Sequence, residues 1–189
     1  MPNTQFRYFD AHSHIASATF ETERDELLAR MRDEGVGTIT VGVDRASSEE
    51  AVQCAQEHEG VYATIGLHPC DTPTEGFDQD VFTRMVRHPK VVAIGECGLD
   101  YFRTDDPAEK KRQRDVFEAQ IHFAITHLKP LMLHCRPKKG SMDAYLDTLD
   151  ILEPLKGKVA GNVHFFVGNV DVARRFYDLN FTTSFTGVL

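Results

Sequence analysis

Five side chains able to bind divalent cations, His12, His14, Glu96, His134 and His164, lie in or at the end of short apolar runs of this 189-residue sequence. Imidazole and carboxylate are common ligands of divalent metals. Side chains alternate along a strand, so Asp10, His12 and His14 can all face one interior space. Glu96 closes Val-Val-Ala-Ile-Gly-Glu, where a carboxylate directly after an apolar strand needs a cation, a hydrogen-bond network or water. His134 closes Leu-Met-Leu-His, and His164 lies in Asn-Val-His-Phe-Phe. Each alone reads equally well as a hydrogen-bonded core or rim residue, and a lone His-x-His pair is more often structural. Together at matching strand ends they describe a hydrolytic centre with one or two metals, in which an ion lowers the pKa of water and holds a substrate oxygen.

Other polar residues sit close to these positions. His68, in Ile-Gly-Leu-His-Pro, is placed to contact a substrate phosphate or leaving group, or to fix the following turn. Arg136, near Lys138 and Lys139, is a phosphate contact by its chemistry, whereas Lys110, Lys111, Arg112 and Arg114 read partly as a solvated helix face. Cys97 and Cys135 adjoin Glu96 and His134, so alternation turns both toward the helices as packing residues. Cys54 falls on a helix and Cys70 in a loop. His58, His88, His122 and His127 lie on helices or at a helix end, away from the strand tips. Tyr101 and Phe102 are exposed aromatic candidates for stacking on a base.

The elements that must position these residues alternate. Strands are expected at 6–12, 38–43, 61–67, 91–96, 131–134, 159–166 and 181–185. Between them lie amphipathic helices: about 21–34 with Leu27, Leu28 and Met31 inward and Gly35 as its stop; one opened by a Ser47–Glu50 capping box and ending near Gly60; and one capped by Asp78 and ended by Pro89. Asp106-Pro107 opens the longest, with Phe117, Gln120, Ile121, Ala124, Ile125 and Leu128 at helical spacing. Ser141 opens another, carrying Tyr145, Leu146, Leu149 and Leu152, and the last runs over 169–179. This β-then-α rhythm predicts a parallel sheet flanked by helices, either doubly wound or closed into a barrel. No linker, repeat or low-complexity tract interrupts it, so residues 1–189 are expected to form one domain.

Composition narrows the class of function. Apolar residues make up 41% and charged residues 26%, enough for one sizeable core. The net charge of −8 excludes a global positive field for holding nucleic acid, so a polyanion must be bound locally. Four scattered cysteines without CxxC spacing point to a reducing, cytoplasmic setting. The amino terminus lacks a signal pattern and no run approaches a membrane span, so no membrane partner is expected, and a monomer is the default.

With these residues in place, the sequence resembles the TatD-type metal-dependent hydrolases, deoxyribonucleases of the amidohydrolase-like barrels. The similarity rests on Phe-Asp-Ala-His-Ser-His at 9–14, Ile-Gly-Leu-His-Pro at 65–69, Ile-Gly-Glu-Cys-Gly-Leu-Asp-Tyr at 94–101, Gln113 with Phe117 and Gln120-Ile121, His134-Cys135-Arg136, and His164 with Gly168. It implies a TIM-type (β/α) barrel, here carboxy-terminally truncated, with about seven of eight strands and no position for the family's strand-eight Asp. It further implies two divalent ions, magnesium or manganese with zinc as a further option. His12 and His14 would hold one ion, Glu96 would bridge, and His134 and His164 would complete the centre. Glu96, Arg136 and His68 then serve catalysis, the last two also binding substrate. The implied activity is 3′-5′ hydrolysis of single-stranded DNA ends by a metal-activated water. Two rivals are an amidohydrolase acting on a small amide or ester, and a non-catalytic metal- or nucleic-acid-binding remnant.

Overall fold

A computed structural model describes residues 6–70 and 76–187. Seven strands, β1 (Tyr8–Ser13), β2 (Val36–Val41), β3 (Val61–Ile65), β4 (Val91–Asp100), β5 (Leu131–Arg136), β6 (Gly161–His164) and β7 (Phe181–Thr183), form one sheet. Each pairs in parallel with the next in chain order. The connections carry α1 (Arg24–Asp33), α2 (Arg45–Glu57), α3 (Gln79–Val86), α4 (Pro107–Thr126), α5 (Asp143–Leu152) and α6 (Val170–Asp178). A doubly wound sheet reverses its strand order at a switch point; this one never does, which is the winding of a barrel.

The sheet curls strongly. Across a flat sheet β1 and β6 would lie about 24 Å apart, from a strand spacing of about 4.8 Å. Instead the rings of His12, on β1, and His164, on β6, stack with centroids 3.4 Å apart. Among the described residues β1 and β7 are the two edges, each with one strand neighbour.

Helix faces follow the apolar spacing. In α3, Val81, Phe82, Met85 and Val86 are buried, and the Asp78 carboxylate accepts from the backbone N–H groups of Asp80 and Val81. In α4, Asp106 caps, Pro107 takes the first turn, and Gln113, Phe117, Gln120, Ile121, Phe123 and Ala124 face inward. Together with Ala51, Ala55, Tyr145, Leu149 and Phe176 they pack on the outer face of the strands, where Val61, Ile65, Val91, Leu131 and Leu133 are buried.

Several expected boundaries move. A 3-10 turn at Ala18–Phe20 precedes α1, which starts at Arg24, whose guanidinium donates to the carbonyls of Ile15, Ala16 and Ser17. The cap of α2 is Asp44: its carboxylate accepts from Ser47 N–H while Ser47 Oγ accepts from Asp44 N–H, so Ser47 is the inner partner of the box and Glu50 has no part in it. Ser141 lies just outside α5, its Oγ accepting from Asp143 N–H. Leu128 follows α4 with φ 54° and is 91% exposed, and Leu146 is exposed, so neither joins the core. The strand expected at 159–166 shortens to β6, and that at 181–185 to β7. No helix among the described residues is long and apolar enough to cross a membrane.

Candidate active site

The carboxyl ends of the strands converge on a cavity of about 420 Å³ lined by His14, Val43, His68, Glu96, Arg103, His134, Cys135, Arg136, His164 and Phe165. Two register shifts set the side chains. In β1, the three steps from Asp10 to Ser13 match two of β2, Thr38 to Thr40; in β4, the three steps from Ile94 to Cys97 match two of β5, Leu131 to Leu133. The first shift breaks the simple alternation expected of β1. Asp10 is exposed, accepts from the backbone N–H of His12 at 3.1 Å and is not among the residues that line the cavity. The second brings Glu96, 4% exposed, to the floor of the cavity.

Glu96 is the hub. Its Oε2 lies 3.4 Å from His12 Nε2 and 4.0 Å from His14 Nε2, and its Oε1 lies 3.0 Å from His134 Nδ1. Two groups of potential ligand atoms, each mutually within 4.8 Å, share it: His12, Glu96 and His164, and His68, Glu96 and His134. His14 stands at the rim, its Nδ1 donating to the Val41 carbonyl at 3.2 Å, which leaves Nε2 toward Glu96. His68, drawn from sequence as a substrate contact, is 5% exposed beside His134, ring centroids 4.3 Å apart.

The donor set suits a cation. Neither buried ring nitrogen of His12 makes a hydrogen bond, and its Nε2 stands 3.4 Å from the Glu96 carboxylate, so the ring has a lone pair to give a cation held there. Burial opposes ionisation of Glu96, but the His12 and His134 imidazoles outweigh it and hold the carboxyl well below the usual range. Burial likewise opposes charge on His134, but Asp100 and Glu96 push it up to about 9. Burial, followed by the neighbouring His12, pushes His164 down to about 4, leaving a neutral imidazole at neutral pH.

Sequence reasoning missed two kinds of residue. Asp100 is fully buried, with Oδ2 3.1 Å from His134 Nε2. A carboxylate four residues after Glu96, at the same strand parity, was the available signal. Gln113 and Gln120 were noted only as part of a pattern. Each buried amide clamps a strand end: Gln113 accepts from Asp100 N–H at 2.9 Å and donates to its carbonyl at 3.3 Å, and Gln120 does the same for Leu67 at 2.8 and 3.0 Å. Their seven-residue spacing puts both on one face of α4. A Cβ on Gly66 would stand 2.8 Å from both Gln120 Oε1 and Gly95 Cα, so only glycine fits beneath the second clamp.

At the cavity mouth the Arg136 guanidinium lies 3.9 Å from the ring centre of Phe102, which is 50% exposed. Tyr101, the other stacking candidate, is buried with its hydroxyl donating to Asp147 and Lys110 against its ring. The lysines and arginines of α4 are engaged too: Lys110 with Asp143, Lys111 with Asp115, Arg112 with Glu109, Arg114 with Asp147. Cys97 and Cys135 are buried free thiols, and burial pushes both well above the ordinary range. Cys135 Sγ lies 3.4 Å from Thr148 Oγ1 of α5, while the ring of its neighbour His134 stands between Glu96 and Asp100. His134→Ala is therefore expected to lose far more hydrolytic activity than Cys135→Ala; equal losses in matched rate measurements would contradict this facing.

The chain matches the family described as TatD related DNase over residues 9–189. It is 35% identical over 183 residues to the uncharacterized metal-dependent hydrolase YabD of Bacillus subtilis (strain 168), covering 95% of this chain and 68% of that protein. It is 33% identical over 183 residues to the 3′-5′ ssDNA/RNA exonuclease TatD of Klebsiella pneumoniae (strain 342), covering 95% of this chain and 66% of the relative. The crystal structure of YJJV, a TatD homologue from Escherichia coli K12, superposes with a TM-score of 0.82 at 27% identity, covering 94% of this chain and 67% of that one. The chain spans about two thirds of the length of these relatives.

Proposed function

The chain belongs to the TatD related DNase family, and from that membership and the site's geometry we propose that it is a metal-dependent phosphodiester hydrolase acting 3′-5′ on single-stranded DNA ends. The observation that supports this most is the pair of ligand groups sharing Glu96. His12 and His164 with Glu96 would hold one divalent ion, with His14 at its rim, and His134 with Glu96 a second. His68 stands close enough to serve the second ion or the substrate's leaving oxygen. Imidazole nitrogens mixed with a carboxylate suit manganese or zinc better than magnesium, which prefers oxygen ligands. Bound there, such ions supply Lewis acidity that lowers the pKa of water and offsets charge on phosphoryl oxygens.

The chain's own residues do the rest. Arg136 and Arg103 line the cavity and present guanidinium donors to the non-bridging oxygens. Phe102, backed by Arg136, offers a stacking surface for the terminal base, which local recognition by an acidic protein requires. Phe165, which adopts φ 54° directly after His164, forms part of the cavity wall. The cytoplasmic, monomeric setting belongs to the same proposal.

The test is a 5′-labelled single-stranded oligonucleotide incubated with the protein and manganese. A ladder shortening from the 3′ end, lost with chelator, supports the proposal. Binding without cleavage would point to the non-catalytic alternative, and turnover of small amides with inert phosphodiesters to the amidohydrolase. Phe102→Ala is expected to raise KM for oligonucleotides by about tenfold, the worth of one stacked base, with kcat little changed. An unchanged KM in steady-state measurements would remove Phe102 from the substrate path.

A further inference from the structure

The roles assigned so far leave Asp100 unused, yet it is a fully buried carboxylate in contact with the cavity-lining His134. It ends β4 on the side of the strand that carries Glu96. The two carboxylates grip one ring between them: Glu96 Oε1 lies 3.0 Å from His134 Nδ1, and Asp100 Oδ2 lies 3.1 Å from Nε2.

Asp100 is itself anchored on every side. Arg103 donates its backbone N–H to Oδ1 at 3.0 Å and its guanidinium to Oδ2 at 3.2 Å. Gln113 holds both backbone groups, and Glu109 accepts from the Gln113 amide at 3.2 Å. Glu109 also pairs with Arg112, whose guanidinium donates to the carbonyl of Pro69, next to His68. The chain of contacts ties Asp100 to the loop after β3 as well as to α4.

An ionised carboxylate only accepts hydrogen bonds, so both ring nitrogens, each facing one, are donors as they stand; an ion taken up beside Glu96 would replace the hydrogen on Nδ1, while Nε2 keeps its hydrogen toward Asp100. Turning the ring over would replace nitrogen by carbon at both contacts. We propose that Asp100 is a positioning residue of the metal centre, holding Nε2–H of His134 so that Nδ1 is the atom offered to the ion shared with Glu96. This rests on the assignment of His134 as a ligand made above. A carboxylate behind a ligating imidazole fixes its tautomer and raises its basicity, and its loss typically weakens metal binding by about 10–100-fold.

Titration of Mn2+ into the whole chain by calorimetry tests this directly. Asp100→Asn, folded by circular dichroism, is expected to bind Mn2+ about 10–100-fold more weakly than wild type. Nitrogen-15 spectra of the Zn2+-loaded wild-type protein are expected to show His134 protonated on Nε2 and metal-bound through Nδ1, a result that stands even if Asp100→Asn does not fold. Wild-type affinity in folded Asp100→Asn, or metal on Nε2, overturns the proposal. If wild type binds neither ion, or His134→Ala binds as tightly as wild type, the ligand assignment itself fails and the role of Asp100 falls with it.

Discussion

Glu96→Gln is expected to slow metal-dependent hydrolysis by about a thousandfold or more, the largest effect of any single substitution in this molecule. The reason is topological as much as chemical. Glu96 is the member common to both ligand groups, so its charge is what two neighbouring cations would share. Glutamine keeps the shape, but it is neutral. Lewis-acid stabilisation is worth several kcal/mol in the transition state, and about 4 kcal/mol corresponds to a thousandfold in rate. Single-turnover cleavage of a labelled oligonucleotide at saturating Mn2+, with circular dichroism to confirm the fold, measures it. A rate within tenfold of wild type, with unchanged metal dependence, would show that the shared carboxylate is not the centre's hub.

Gln120→Leu is expected to cost about 3 kcal/mol of stability, although leucine is close in size and the site lies on a helix. The side chain is fully buried and satisfies both the N–H and the C=O of Leu67. Leucine would leave both backbone groups buried and unpaired, at about 1–3 kcal/mol each. For a chain of this size such a loss lowers Tm by about 6–12 °C. Because Leu67 directly precedes His68, activity should fall along with stability. Gln53, which donates to Glu57 on the exposed face of α2, provides the contrast: Gln53→Leu should change stability by less than about 0.5 kcal/mol. Urea titrations of the two variants decide the point, and similar midpoints for both would mean that the Leu67 clamp contributes nothing.

Much of the architecture was legible along the chain because its signals are local. Apolar runs of strand length alternate with helical spacing, and caps such as Asp78 and Asp106-Pro107 act within four residues of the helix they start. The ligand candidates were legible for a related reason: His12, Glu96, His134 and His164 are polar residues where an apolar strand pattern ends. Competing local signals caused the misses. Asp44 and Ser47 both suit a cap, and only the observed backbone chooses between them. Leu128 and Leu146 continue an apolar pattern past the surface that buries it. Tyr101 and Phe102 are adjacent and chemically alike, yet one is packed beneath Lys110 while the other lies open beside Arg136.

By itself, then, the sequence determined the alternation of strand and helix, the donor types and the strand ends that carry them. Only the tertiary structure decided how those ends meet. The stacking of His12 on His164 across six strands depends on sheet curvature, which accumulates from small twists over many residues. The sharing of Glu96, the exclusion of Asp10 and the placing of Asp100 behind His134 depend on two register shifts and on Gln113 reaching from α4. These are relations between residues far apart in the chain, and no local pattern carries the distances on which metal chemistry turns.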